Sequence, residues 1–230
     1  MPKHPQSGTG YVPGNNSDKI KHSNLVCMAR ALARTLSCYV ELHSGLGILE
    51  GYVGSSIKVI EELRKNNNHC PVILNELESN NRKRLLIALQ TRKYQNFVVY
   101  SDWKESLDKH ILPVLNKDSL VLIDPTEMKA YTEPNGILNN LEKILRLEPS
   151  IFLFVPERVT EEAEEHRQIL SDLGAAISSC GAVYADLVYT VKRGCFSRRD
   201  HNIIVSSNSD VLKKIEENHE SFSRALKSGK

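Results

Sequence analysis

What this sequence lacks narrows its reading first. No apolar run in the 230 residues approaches the roughly 18 needed to span a bilayer. The opening stretch, residues 1–19, has no apolar core, so it does not read as a secretory signal. The five cysteines (27, 38, 70, 180 and 195) are odd in number and scattered, with no CxxC pair. That pattern argues against a disulfide framework or a zinc site and for reduced thiols in a cytoplasmic protein, with no metal expected. A net charge of +2 neither demands nor excludes a nucleic-acid partner. Repeats, low-complexity tracts and interdomain linkers are also missing, which predicts a single domain over 1–230.

What is present is an alternation of two periodicities. Residues 1–18, rich in Pro, Gly, Asn and Ser, read as a flexible arm. A lead-in helix over 19–36 follows, with apolar residues at 20, 25, 28, 29, 32, 33 and 36. Apolar, β-branched runs then appear at 38–42, 71–77, 96–102, 119–125, 150–156, 182–191 and 201–207. Helical patterns lie between them at about 55–66, 79–91, 103–115, 136–147, 160–173 and 209–227. Near-continuous apolar strands separated by amphipathic helices predict an α/β fold: a mostly parallel, Rossmann-like seven-stranded sheet covered on both faces. The short polar link 192–200 predicts that the last two strands form an antiparallel hairpin.

In such sheets ligands bind beyond the carboxyl ends of the strands. Those ends carry Glu41, Glu76, Asp102 and Asp124, expected to stand in register, one after each of the first four strands. A lone acid there is often a helix cap; four point to a site. The first strand runs into "ELHSGLG", Glu41 to Gly47, where glycines let the backbone approach a ligand. The dinucleotide fingerprint GxGxxG fails by one position, and Glu41 sits awkwardly beside a pyrophosphate. A cationic, phosphate-free nucleoside fits better. S-adenosylmethionine is such a ligand: Glu76 suits its ribose hydroxyls, and Asp102 could accept from its adenine amine. His43 could hydrogen-bond that donor or cap the next turn. Trp103 could pack on the adenine or belong to the core. Ser55 and Ser56 are expected to cap the helix that follows Gly54. The basic clusters 82–84, 92–93, 192–193 and 198–199 are either solvated faces or phosphate contacts.

These segments carry a resemblance. Glu41-x-x-x-Gly45-x-Gly47, the acid of "NEL", "SDW" and "LIDP" resemble the class I Rossmann-type methyltransferases over nearly the whole chain. More narrowly, "GNNSDKIKH" (14–22), "ELHSGLG", "VGSSIKVIEEL" (53–63), "NELESNNRKRLL" (75–86) and "LVLIDPTEMKAY" (120–131) are similar, in the same order, to the bacterial family that methylates the exocyclic amine of an adenine in 23S ribosomal RNA. The three-Cys-motif partner proteins share the acid-glycine loop, the GS segment and the LxxDP strand. The resemblance implies a methyltransferase with S-adenosylmethionine held by Glu41, His43, Ser44, Gly45, Gly47, Glu76, Asp102 and Asp124. It implies catalytic roles for Asp124 and Lys21, acceptor contacts from Asn15, His22 and Pro125, and a nucleic-acid acceptor, RNA ahead of DNA, methylated on nitrogen. One departure stands out. Amino-directed members carry Asp/Asn-Pro-Pro-aromatic, whereas this chain has Asp124-Pro125-Thr126-Glu127. Base stacking, worth about 1–3 kcal/mol, would then fall to Tyr131 or Tyr11. A catalytically inert protein of the same fold that binds RNA or a protein partner stays open beside the enzyme, and a phosphonucleotide binder is disfavoured by the glycine spacing.

Overall fold

The computed structural model describes residues 16–49, 52–158, 163–193 and 196–227; the arm 1–15, with Tyr11 and Asn15, lies outside them, as does Cys195. The strands are β1 (Cys38–Glu41), β2 (Ile48–Leu49), β3 (Tyr52–Val53), β4 (Val72–Asn75), β5 (Phe97–Tyr100), β6 (Ser119–Ile123), β7 (Ser150–Arg158), β8 (Tyr184–Arg193) and β9 (Phe196–Val205). Among them run helices α1 (Asn16–Leu32), α2 (Ser55–Lys65), α3 (Ser79–Thr91), α4 (Trp103–Ser106), α5 (Lys129–Thr132), α6 (Ile137–Leu145), α7 (Ala163–Ser179) and α8 (Ser209–Lys227).

Seven strands form one sheet in the order β5-β4-β1-β6-β7-β9-β8. The first five are parallel, whereas β9 runs antiparallel to β7 and β8. Strand alternation sends residues to two cores. Tyr39, Leu120, Leu122 and Phe152 face α1, α2, α3 and α8. Val40, Val121, Ile123 and Leu153 face Trp103–Leu115, α5, α6 and α7. The parity matters for the site: Asp124 follows Leu120 and Leu122 onto the α1 face.

Two expectations are revised. The helix expected over 103–115 is broken into α4, a π turn at 107–111 and a 3-10 turn at 112–114. Pro113 cannot donate the backbone bond that an unbroken α-helix requires there. The expected polar link 192–200 is mostly strand, because β8 continues to Arg193 and β9 begins at Phe196. The small β2–β3 hairpin and the one-turn α5 were not foreseen. Among the described residues no helix is long and apolar enough to cross a membrane.

Candidate functional site

Register places the strand-end acids at different depths. Glu41 pairs level with Leu74 of β4 and Leu122 of β6. Glu76 and Asp124 therefore lie two residues further out, roughly 7 Å, and Asp102 lies beyond those. The expectation of four carboxylates in register is corrected: they form steps, with Glu41 lowest.

That depth explains the state of Glu41. Its side chain is completely buried, its Oε1 accepts from the Ser55 hydroxyl, and its Oε2 has no partner. Burial pushes its pKa up to about 8, against the pull of the serines and Lys21. Ser55 is thus spent on Glu41, while Ser56 donates to the Ser44 carbonyl at 3.3 Å. Neither caps α2, whose N-cap is Gly54 with no side-chain bond. That expectation fails because a buried carboxylate competes for the hydroxyl.

The glycine loop is fastened above Glu41. Ser44 donates its N–H to the Asn75 carbonyl at 2.8 Å, and Asn75 N–H returns a 3.2 Å bond to the Ser44 hydroxyl. Gly45, at φ 64°, donates its N–H to Glu76 Oε2 at 2.7 Å, and a Cβ there would meet only open space. Gly47, at φ 74°, has no such room, since a Cβ would come within 2.8 Å of Leu85. The first glycine is left open to a ligand; the second is demanded by packing. Glu76 also accepts from the Glu78 N–H at 2.9 Å, and burial raises its pKa. Beside it Leu77 is 73% exposed, in a turn pinned by Arg82 to the Glu76 and Leu77 carbonyls. Asp102 caps α4 by accepting from Lys104 N–H at 2.9 Å. Trp103 lies in the core, edge-on to His43 at 6.0 Å. His43 caps nothing among the described residues; its Nδ1 is buried without a partner, and burial lowers its pKa to about 3.

Just past the neighbouring strand β6 stands Asp124, and Lys21 of α1 places Nζ 2.6 Å from its Oδ2, 3.4 Å from Asp18 and 4.5 Å above the Phe154 ring. Burial works against the lysine charge, yet Asp124 and Asp18 hold its pKa above the ordinary value. Burial raises Asp124 against the opposing pull of Lys21. His22, next along α1, is buried against Tyr52 and Lys58, with its Nδ1 3.1 Å from Lys58 Nζ. Burial, then Lys21 and Lys58, keep its pKa well below 6.5, so it is neutral. Pro125 is buried, and Thr126 and Glu127 are exposed. Tyr131 is fully buried with its hydroxyl donating to the Phe154 carbonyl at 2.8 Å, so it offers no face to a base. Asn15, expected at the acceptor, lies outside the described residues.

The structure thus brings Lys21 to Asp124 and the glycine loop to Glu76, and sets Glu41 beneath both. Asn75, Phe154 and Tyr52 were missed because each acts through a partner distant in sequence, and Asp18, three residues before Lys21, because an acid in a first helical turn is ordinary. Leu77 was legible in "NEL". Of the basic clusters, Arg82–Arg84 sit in the first half of α3, at the site rim. The paired ends of β8 and β9 extend beyond the strands on the same side, since β7 runs on from Leu153, level with Ile123, to Arg158, level with Arg198. Arg92 and Lys93 follow the last turn of α3 and lie at the opposite end of the sheet, so that cluster is removed from the site. Among the described residues no group of three or more His, Cys, Asp or Glu side chains could hold a metal ion.

Ranked in chain order, the seven strands read 3-2-1-4-5-7-6, and with the glycine loop after the first they define a Rossmann-like methyltransferase fold. No protein-family model and no curated protein matches the chain. Solved structures do. TYW2 of M. jannaschii, crystallised with AdoMet, is 11% identical over 85% of this chain and 78% of its own, with a TM-score of 0.52. The protein SMU.1697c of Streptococcus mutans, assigned as a methyltransferase and solved with SAH, is 11% identical over 81% of this chain and 96% of its own, at 0.51. A Clostridium thermocellum protein assigned as an rRNA methylase is 12% identical over 85% of this chain and all of its own, also at 0.51. At such identities the likeness establishes the fold.

Proposed function

We propose that the chain is an S-adenosylmethionine-dependent methyltransferase acting on a nitrogen of a nucleic acid, RNA ahead of DNA. The observation that carries this is the buried Lys21–Asp124 contact of 2.6 Å, on the rim that also holds the glycine loop. The rim suits such a donor. Gly45 leaves open space, Leu77 offers an exposed apolar face, and Glu76 retains lone pairs for hydroxyls after two backbone bonds. Glu41 adds an unpartnered buried oxygen below. Structures of the same fold with AdoMet or SAH bound support the choice.

When bound, the donor supplies a methyl group on a positively charged sulfur. The protein's task is orientation. Asp124 Oδ2 is occupied by Lys21, which leaves Oδ1 to accept a hydrogen bond from the acceptor amine and direct its lone pair. That oxygen would take the proton the amine sheds as the C–N bond forms and the methyl–sulfur bond breaks, the electron pair staying on sulfur as a neutral thioether. Lys21, fixed over Phe154, holds the carboxylate in place and offsets the cost of its burial.

Methyl transfer from labelled donor to RNA, DNA and protein tests this. Lys21→Ala and Asp124→Ala should abolish transfer while leaving donor affinity nearly intact. Glu76→Ala should weaken donor binding by about 1–3 kcal/mol. Failure of the wild-type chain to bind the donor would sink the assignment.

A second reading has one observation in its favour. Thr126 and Glu127 stand exposed where the resembling families carry proline and an aromatic, and Tyr131 is buried. A protein of this fold that binds RNA without transferring a methyl fits that rim, and would bind donor and RNA in the same assay with no product.

A further inference from the structure

Lys58 is held in place by groups that do not neutralise it. Its Nζ lies 3.1 Å from the neutral His22 ring and 5.5 Å from the centre of the Tyr52 ring, and it makes no ion pair among the described residues. Among the described residues the one acid that acts on it, Asp18, is already engaged with Lys21 at 3.4 Å. Lys58 opens onto a cleft of about 340 Å3 between α1, α2 and α8, whose wall also includes Lys19, His22, Ser23, Arg30 and Asn218. Among the described residues no carboxylate lines it. Arg30 is paired with Glu62 at 2.6 Å, so Lys58 and Lys19 carry the charge left over. Asn218 donates to Ser23 Oγ at 3.2 Å, which leaves the Ser23 hydroxyl proton free to point into the cleft. An oriented but uncompensated ammonium, a second lysine and a free hydroxyl donor are what a phosphate oxygen needs.

We propose that this cleft binds a backbone phosphate of the acceptor RNA, next to the nucleotide presented to Lys21 and Asp124. Its place follows from the helix: His22 lines the cleft and Lys21, the preceding residue, reaches Asp124. A strand clasped at the cleft by its phosphate is therefore set beside the catalytic pair. This rests on the RNA-methyltransferase reading, and goes beyond it by assigning the cleft.

The test is binding of a short single-stranded RNA to the full chain across a salt series, for wild type, Lys58→Gln, Ser23→Ala and, as a control on the far rim, Lys93→Glu. Loss of one phosphate contact should make the slope of log K against log salt shallower by about 0.7 in Lys58→Gln. Ser23→Ala should weaken binding without altering the slope, and Lys93→Glu should match wild type. Unchanged melting temperatures confirm that the variants fold. If wild type binds donor and RNA but Lys58→Gln keeps the full slope, the cleft assignment is wrong and the reading it rests on stands. If Lys58→Gln instead loses donor affinity, the cleft serves the donor and the proposal falls. If inorganic phosphate shifts the His22 ring resonances and RNA does not displace it, the site is one for free phosphate. If wild type binds no RNA, both fall together.

Discussion

Glu41 and the two loop glycines show how single residues divide the work of the site. The Glu41 carboxyl, pushed to about 8 from an ordinary 4.5, keeps a proton that the unfolded chain releases. Stability should therefore fall as pH rises from about 4.5 to 8 and level off above. His22 and His43 act in the other direction: with folded pKa values below 6.5, both lose stability only as pH falls below that value. Between pH 6.5 and 8 the Glu41 effect is isolated from theirs. The melting temperature should decline across that window in wild type and stay flat in Glu41→Gln, and parallel curves would show that the carboxyl is ionised throughout. The glycines separate ligand space from packing. Gly47→Ala combines a left-handed backbone with a clash on Leu85, and should cost roughly 2–4 kcal/mol in denaturant unfolding. Gly45→Ala meets no neighbour, so it should cost only the backbone strain of about 1–2 kcal/mol. Its larger effect should appear in donor titration, because the new methyl fills the space offered to the ligand.

Among the elements, α3 separates a basic cluster at the site from one that only resembles it. Its 13 residues span about 20 Å, with Lys83 and Arg84 exposed at the rim and Lys93 just past the far end. Lys83→Glu combined with Arg84→Glu should weaken RNA binding and flatten its salt dependence, whereas Lys93→Glu should do neither; equal effects would mean non-specific attraction. Arg82 is left out of this test because it ties down the Leu77 turn. The boundaries of α3 and α8 were legible at 79–91 and 209–227, because amphipathic patterns bounded by polar residues report where helical burial begins and ends. The π turn before Pro113 was not, since apolar spacing alone does not register a missing backbone donor. The two-residue strands β2 and β3 were hidden in a glycine-rich loop too short for any period to show. The strand-end acids were legible as residues, but their stagger was not, because depth depends on inter-strand register. Lys21 was reached through family resemblance alone: "KIKH" by itself is a basic first turn, and its partner Asp124 lies 103 residues away.

Across the whole molecule, the site depends on a junction between the two ends of the described chain. Lys21 and His22 ride on α1, which precedes the first strand, and α1 is packed against α8, the last helix. At that seam Asn24 Nδ2 contacts His219 Nδ1 at 2.9 Å, and Asn24 Oδ1 accepts from Asn218 at 2.9 Å. Asn24 is completely buried, so Asn24→Ala strands a buried histidine nitrogen and leaves the Asn218 amide with Ser23 as its side-chain partner. Leaving that nitrogen unpaired costs about 1–3 kcal/mol. The loss should appear as a lower denaturant midpoint. It should also reach the chemistry, because the same helix holds Lys21 over Phe154 and against Asp124. The glycine loop, built from β1, β4 and the start of α2, takes none of its bonds from this seam. Asn24→Ala is therefore expected to reduce methyl transfer and RNA affinity well before donor affinity changes. Calorimetry with the donor alone, set beside the transfer assay at a temperature where the variant remains folded, separates the two effects. A parallel fall in both would mean that α1 supports the whole rim and does not set the acceptor side alone.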